Sequence, residues 1–203
     1  MIQFFLQNPI IAALIWAVLY AFDFGITGWF SQYYRNTLSR NFTYEGGVEL
    51  NPVFEKSVAK PDGINRRFLF FGIFMVGLLV FFGSIIPEMV NFEFMLGAFL
   101  LLWLFIDLRH FRNSYLYLCL KDKPEALTGH IQQTYWLSQR MVSFDAFAFG
   151  FVYYVGWVFS GREFFAGGAF ICFLLTVRHF LLADRVAMRQ DAKSPIAGRV
   201  KIS

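Results

Sequence analysis

The sequence predicts an all-α, polytopic membrane bundle of about five transmembrane helices, and three observations carry that reading. Of its 203 residues, 57% are hydrophobic and 16% charged, where soluble proteins carry roughly a quarter charged residues. The apolar residues gather into five runs, each near the ~20 residues needed to cross a bilayer core. Lys and Arg avoid one side of these runs almost entirely. The mean hydropathy of +0.50 and the 28 Phe suit an outer surface that faces hydrocarbon.

The first run extends from about Pro9 to Ser31 and contains one charge, Asp23. The preceding residues hold no Lys or Arg, so a cleaved leader is not expected and this helix is read as retained. Ala13, Ala17, Ala21 and Gly25 recur at every fourth position. Such a stripe permits close helix approach and offers one route to a homo-oligomer. Asp23 lies about 200° around the axis from Ala21 and Gly25, on a face shared with Trp16, Tyr20 and Thr27. An aspartate facing lipid costs several kcal/mol. Both faces therefore call for protein neighbours, which predicts a central place for this helix.

The connection from 32 to 67 contains Gly46-Gly47, which permits a tight turn. Asn51-Pro52 reads as the N-cap and first position of a short interfacial helix, closed by the turn residues Pro61-Asp62-Gly63. Glu49 either caps that helix or reaches over the polar residues of the bundle.

The second run, Phe68 to Ile86, is uncharged and bounded by Arg66-Arg67 and Pro87. The third covers Met89 to Leu108, with Glu93 and Asp107 near its ends. After it, Asp122 and Pro124 open a stretch with Leu127, Ile131, Tyr135 and Trp136, which suits a second helix lying in the head-group region. The fourth run, Val142 to Ser160, has Asp145 in its first turn. The fifth, Phe164 to Leu182, carries Arg178 and His179 toward its end. Short connections near Pro87–Asn91 and Ser160–Glu163 predict hairpins of runs two–three and four–five. Residues 1–187 form one transmembrane domain in this reading, and 188–203 a basic, disordered cytoplasmic tail.

Of the 18 Lys and Arg, Arg162 alone falls on the side of those short connections. By the positive-inside rule the N-terminus is outside, the C-terminus inside, and the expected location is a cell membrane, the cytoplasmic one in a bacterium. The basic residues flank apolar segments, so their expected partners are anionic lipid head groups rather than nucleic acid. Cys119 and Cys172 lie in different surroundings, and no disulfide is expected.

With this orientation, ionisable groups collect in the inner leaflet. Asp23 and Thr27 are on the first helix, Asp107, Arg109 and His110 on the third, Asp145 on the fourth, and Arg178 and His179 on the fifth. They predict a polar chamber that opens to the cytoplasm. Snorkelling arginines and internal ion pairs give the same pattern without a chamber. Asp107 and His110, at i and i+3, could supply two metal ligands with His179 and Glu49 completing a set, but no metal motif is recognisable and no cofactor is expected. The third and fifth runs also echo one another. Gly97-Ala98-Phe99 precedes Arg109-His110-Phe111, and Gly168-Ala169-Phe170 precedes Arg178-His179-Phe180.

Asp23 and Thr27, followed by Gly46-Gly47-Val48-Glu49-Leu50-Asn51-Pro52, resemble a family of small bacterial and archaeal membrane proteins of unknown function. Those proteins show Asp and Thr in the first helix and then a Glu-x-Asn-Pro segment. The resemblance covers about a quarter of the chain, and Tyr34 to Tyr44 reads as inserted by comparison. It implies membrane location and no activity. Three functions remain open on the residues: a non-enzymatic protein that packs against a partner or lipid, an enzyme acting on a lipid or isoprenoid head group, and a transporter. The outer half of the spans offers a transporter almost no polar residues.

Overall fold

The computed structural model describes residues 2–36, 39, 42–44, 66–85, 87, 91–122 and 129–193. Six helices and two short strands occur among them: α1 (Ile2–Gln7), α2 (Pro9–Asn36), β1 (Phe42–Tyr44), α3 (Arg66–Ile85), α4 (Phe92–Asp122), β2 (Ile131–Gln133), α5 (Tyr135–Ser160) and α6 (Glu163–Lys193). Five of them, α2 through α6, are long and apolar enough to cross a membrane. The chain is a multi-pass membrane protein.

Local chemistry sets the helix ends. Pro9 opens α2, where its missing N–H costs nothing, and Asn8 accepts the first helical bond from Ala12 N at 3.1 Å. Asn91, in the left-handed region at φ 43°, caps α4 by accepting from Phe94 N at 3.2 Å. Thr134 caps α5 by accepting from Leu137 N at 3.3 Å. Gly161 ends α5 at φ 64°, with its N–H on Trp157 O, a conformation that favours glycine.

Two expectations for the loops change. Ile131 does not lie on an interfacial helix with Tyr135 and Trp136: Ile131–Gln133 pairs as a parallel strand with Phe42–Tyr44, and Tyr135 and Trp136 begin α5. Gly129 at φ 89° and the extended backbone of Thr134 interrupt any continuous helix there. The other positions assigned to loop helices, Leu127 and Asn51 to Gly63, lie outside the described residues. At the chain's end, α6 continues past Ala187 to Lys193.

The helices pack in the order α3, α2, α4, α6, α5, with α5 against α6 and α4 against α6 the most extensive contacts. The first membrane helix, α2, therefore has protein on two sides, but the central place belongs to α4. The α5–α6 hairpin packs along its length. The α3–α4 hairpin scarcely packs, because α3 leans on α2 instead.

Glycine explains how closely α4 meets α6. A Cβ on Gly97 would strike the carbonyl of Phe164, and one on Gly167 the carbonyl of Phe94. The backbones thus touch near the start of both helices, and the second-triplet glycine, Gly168, lies against Leu101. Pro9 and Phe92 both crowd Gly83, and Arg162 Nε pairs with Glu93 Oε1 at 2.8 Å. The starts of α2, α4 and α6 and the ends of α3 and α5 consequently share one end of the bundle. The opposite end holds every described Lys and Arg except Arg162, and we call it the basic end.

The core consists mainly of aromatic and aliphatic side chains between neighbouring helices, with Trp16, Leu79, Leu96 and Phe105 fully enclosed. Many other large apolar side chains point outward, Phe159 at 87% exposed the most. Outward-facing Phe at that density is expected where lipid replaces water.

Candidate functional site

The polar residues singled out on α2 and α4 meet. Asp23 stands roughly 21 Å along α2 from Pro9, and His110 roughly 27 Å along α4 from Phe92, at 1.5 Å per residue. Because the two helices start at the same end and run parallel, these side chains arrive at similar depth. His110 Nδ1 lies 2.8 Å from Asp23 Oδ1 and 3.2 Å from Thr27 Oγ1. Its Nε2 lies 3.3 Å from Arg109 Nη2. A guanidinium can only donate, so Nε2 accepts and the ring proton sits on Nδ1, facing α2. Thr27 is the directed hydrogen-bond partner. The Asp23 oxygen is close, but lies off the bond direction.

Buried rings fix this face of α2. Trp16 stacks on Tyr20 at 5.0 Å, and Tyr20 on Phe68 of α3 at 4.0 Å. The Tyr20 hydroxyl donates to Phe68 O at 3.0 Å. Trp16, Tyr20, Asp23 and Thr27 do share one face, and that face is turned into the protein. Of the small-residue stripe, Ala13 is fully buried within the chain, Ala17 half-buried, and Ala21 and Gly25 exposed.

A second polar contact joins α5 to α6. His179 Nδ1 lies 2.5 Å from Gln139 Oε1, and Gln139 is 1% exposed. With the amide oxygen accepting, Nδ1 carries the imidazole proton. Arg109 and Arg178 are both within electrostatic reach of His179. The Arg-His pairs of α4 and α6 therefore stand near each other, at the basic end of the two helices that carry the sequence echo. Nearby, Ser143 Oγ donates to Thr176 O at 2.9 Å.

Among the described residues, the remaining candidates make no hydrogen bond to His110 or His179. Asp145 is held by Arg112 in a two-pronged pair at 3.0 and 3.2 Å, with Arg112 largely in the open. Arg178 is exposed. Asp107 is buried between the helices, and neither of its oxygens makes a hydrogen bond. Glu49 and Asn51 lie outside the described residues. Among the described residues no group of three His, Cys, Asp or Glu is placed to hold a metal ion, so Asp107, His110 and His179 do not form a ligand set.

Sequence reasoning missed Gln139, Arg112 and the Arg140–Asp184 pair (2.6 Å). A fourth run that begins at Val142 leaves Gln139 in the preceding connection. The signal was available: Ser138, Gln139, Val142, Ser143 and Ala146 follow helical spacing and are all buried.

The site is a seam of imidazole, carboxylate, hydroxyl and amide groups bonded across pairs of helices, with cationic side chains at its basic edge. Comparisons with protein-family models, with curated proteins and with solved structures found no match.

Proposed function

We propose that this chain is a non-enzymatic protein of the cytoplasmic membrane, with its N-terminus outside and its C-terminus inside, whose basic end binds anionic lipid head groups. The observation that carries the reading is the segregation of charge. Arg35, Arg66, Arg67, Lys121, Arg178 and Arg185 are all exposed at one end of the bundle. Each Lys or Arg near an anionic surface contributes about 1 kcal/mol of attraction. The imidazoles, and the carboxylate of Asp145, are engaged with other side chains, His110 with Thr27 and Arg109, His179 with Gln139, and Asp145 with Arg112. They serve in this reading as internal ties between helices.

The test is native mass spectrometry of protein reconstituted with equal phosphatidylglycerol and phosphatidylcholine. Selective retention of phosphatidylglycerol, weakened by salt and by Arg178→Gln with Arg185→Gln, is expected. Equal retention of both lipids would remove the proposal. Ala21 and Gly25, the exposed part of the small-residue stripe, are where a second copy would pack, and the same spectra report a dimer.

A second reading, an enzyme acting on a lipid or isoprenoid head group, draws on one observation: the imidazole of His110 beside the carboxylate of Asp23 is an arrangement general bases use. Release of phosphate from a polyprenyl diphosphate by wild type but not His110→Gln would favour it.

A further inference from the structure

The seam between α2 and α4 contains buried polar atoms without hydrogen bonds. Asp107 is 5% exposed, and both of its carboxylate oxygens lack a partner. Oδ1 of Asp23, although 2.8 Å from His110 Nδ1, makes no hydrogen bond, nor do the indole nitrogens of Trp16 and Trp103, whose rings meet edge to face at 5.3 Å. Asp107 follows Trp103 by one helical turn, and Asp23 follows Trp16 by two. The four side chains therefore mark one polar track along the seam. Toward Pro9 and Phe92 the track is closed by apolar packing of Ala12, Ala13 and Leu96, all fully buried. Toward the basic end it reaches Asp23 and His110, whose side chains are 23% and 20% exposed.

The mixture of atoms selects what completes their hydrogen bonding. An indole N–H only donates, and an ionised carboxylate only accepts. A cation would satisfy the carboxylates and leave the indoles bare, and an anion would do the reverse. Water does both, and buried water characteristically bridges such groups. Charge adds a second constraint. An ionised carboxylate without a partner in the membrane interior is costly, whereas a carboxylic acid keeps its hydrogen-bonding capacity without net charge.

We propose that Asp107 is a proton-binding site: a neutral carboxylic acid, bridged by buried water to Trp16 and Trp103, that exchanges its proton with the basic end through Asp23. In the exchange the Asp107 O–H bond breaks as the water takes that proton, and the water releases a proton that forms a new O–H on the Asp23 carboxylate. Asp107 is left as the carboxylate and Asp23 as the acid until the reverse transfer restores both. The charged group that faces Asp107 is Asp23 from α2, which Tyr20 also adjoins; Arg109 and His110 follow on α4 itself, and the ionisable groups of α6 nearest the seam are His179, tied to Gln139, and the exposed Arg178. Helices α3 and α5 touch α4 lightly, and their nearest ionisable groups, Arg66, Arg67, Arg140 and Asp145, are at the basic end.

Infrared spectroscopy of the whole protein in lipid nanodiscs at neutral pH tests this. Wild type should show the carbonyl stretch of a protonated carboxylic acid, shifted down in D2O and lost in the isosteric Asp107→Asn. Trp103→Phe should keep the band but move it to higher frequency, because one donor network is removed. Asp23→Asn should keep the band and slow its shift in D2O. The proposal is overturned if wild type lacks the band or if Asp107→Asn retains it. A band from Asp107 that ignores both D2O and Trp103→Phe would overturn the water link. None of these outcomes depends on which lipid the basic end binds.

Discussion

His110 on α4 and Asp23 on α2, 87 positions apart in the sequence, approach to 2.8 Å, and Thr27 secures the imidazole from the same face of α2. The arrangement needs parallel helices, since only then do the inner part of α2 and the late part of α4 coincide in depth.

The first prediction concerns the worth of this tie. Side-chain bonds between membrane helices average about 0.6 kcal/mol, with a maximum near 1.7. Partial exposure of both groups argues against the upper end. A double-mutant cycle on Asp23→Asn and His110→Gln should give a coupling of about 1 kcal/mol in reversible unfolding from detergent. Strict additivity would show that the contact does not stabilise the bundle.

A second prediction separates glycines that are required from glycines that are tolerated. An added Cβ at Gly167 would meet the Phe94 carbonyl and the Ala98 nitrogen, which are backbone atoms and cannot swing aside. Gly167→Ala should therefore cost about 1–3 kcal/mol, the usual cost of overpacking. Gly25 has nothing within 4 Å of the same position, so Gly25→Ala should be neutral or stabilise the helix by up to about 1 kcal/mol. Equal effects in thermal unfolding would contradict the close α4–α6 approach.

Much of the fold was legible because hydrocarbon thickness imposes a length on apolar runs, and all five appear as helices. Their polar ends were not, because hydropathy fades before the helix does. Arg109, His110 and Arg112 are as helical as Leu108, and Gln139 lies inside α5. The pairing of Asp23 with the third helix was visible only as a need for a partner. Sequence placed Asp145 beside the others, but it could not show that Arg112, one turn beyond Leu108, would capture it. The strands at Phe42 and Ile131 pair two distant loops, and three residues of each carry too little pattern to reveal the partnership.

The third prediction tests the sidedness of the membrane with a native probe. Cys119 is exposed and stands roughly 40 Å along α4, beyond a hydrocarbon core of about 30 Å. Cys172 is fully buried. A membrane-impermeant maleimide should label Cys119 in inside-out vesicles and not in right-side-out vesicles, with Cys172 silent in both. Labelling from the outside would reverse the proposed orientation.

The last prediction concerns Arg140, which joins α5 to α6 in two ways. Its guanidinium carbon lies 3.8 Å over the Phe180 ring and 5.8 Å from that of Trp136, while Nη2 meets Asp184 at 2.6 Å. Trp136 and Arg140 are one turn apart on α5, and Phe180 and Asp184 one turn apart on α6, so four side chains form a single stack. Lys retains the charge but not the planar face that stacks on rings. Arg140→Lys should cost about 0.5–1 kcal/mol, and this loss should persist in high salt. Asp184→Asn should cost less than about 1 kcal/mol, with the loss shrinking as salt screens the partly exposed pair. If both losses disappear in salt, the ion pair holds the helices here and the aromatic stack contributes nothing.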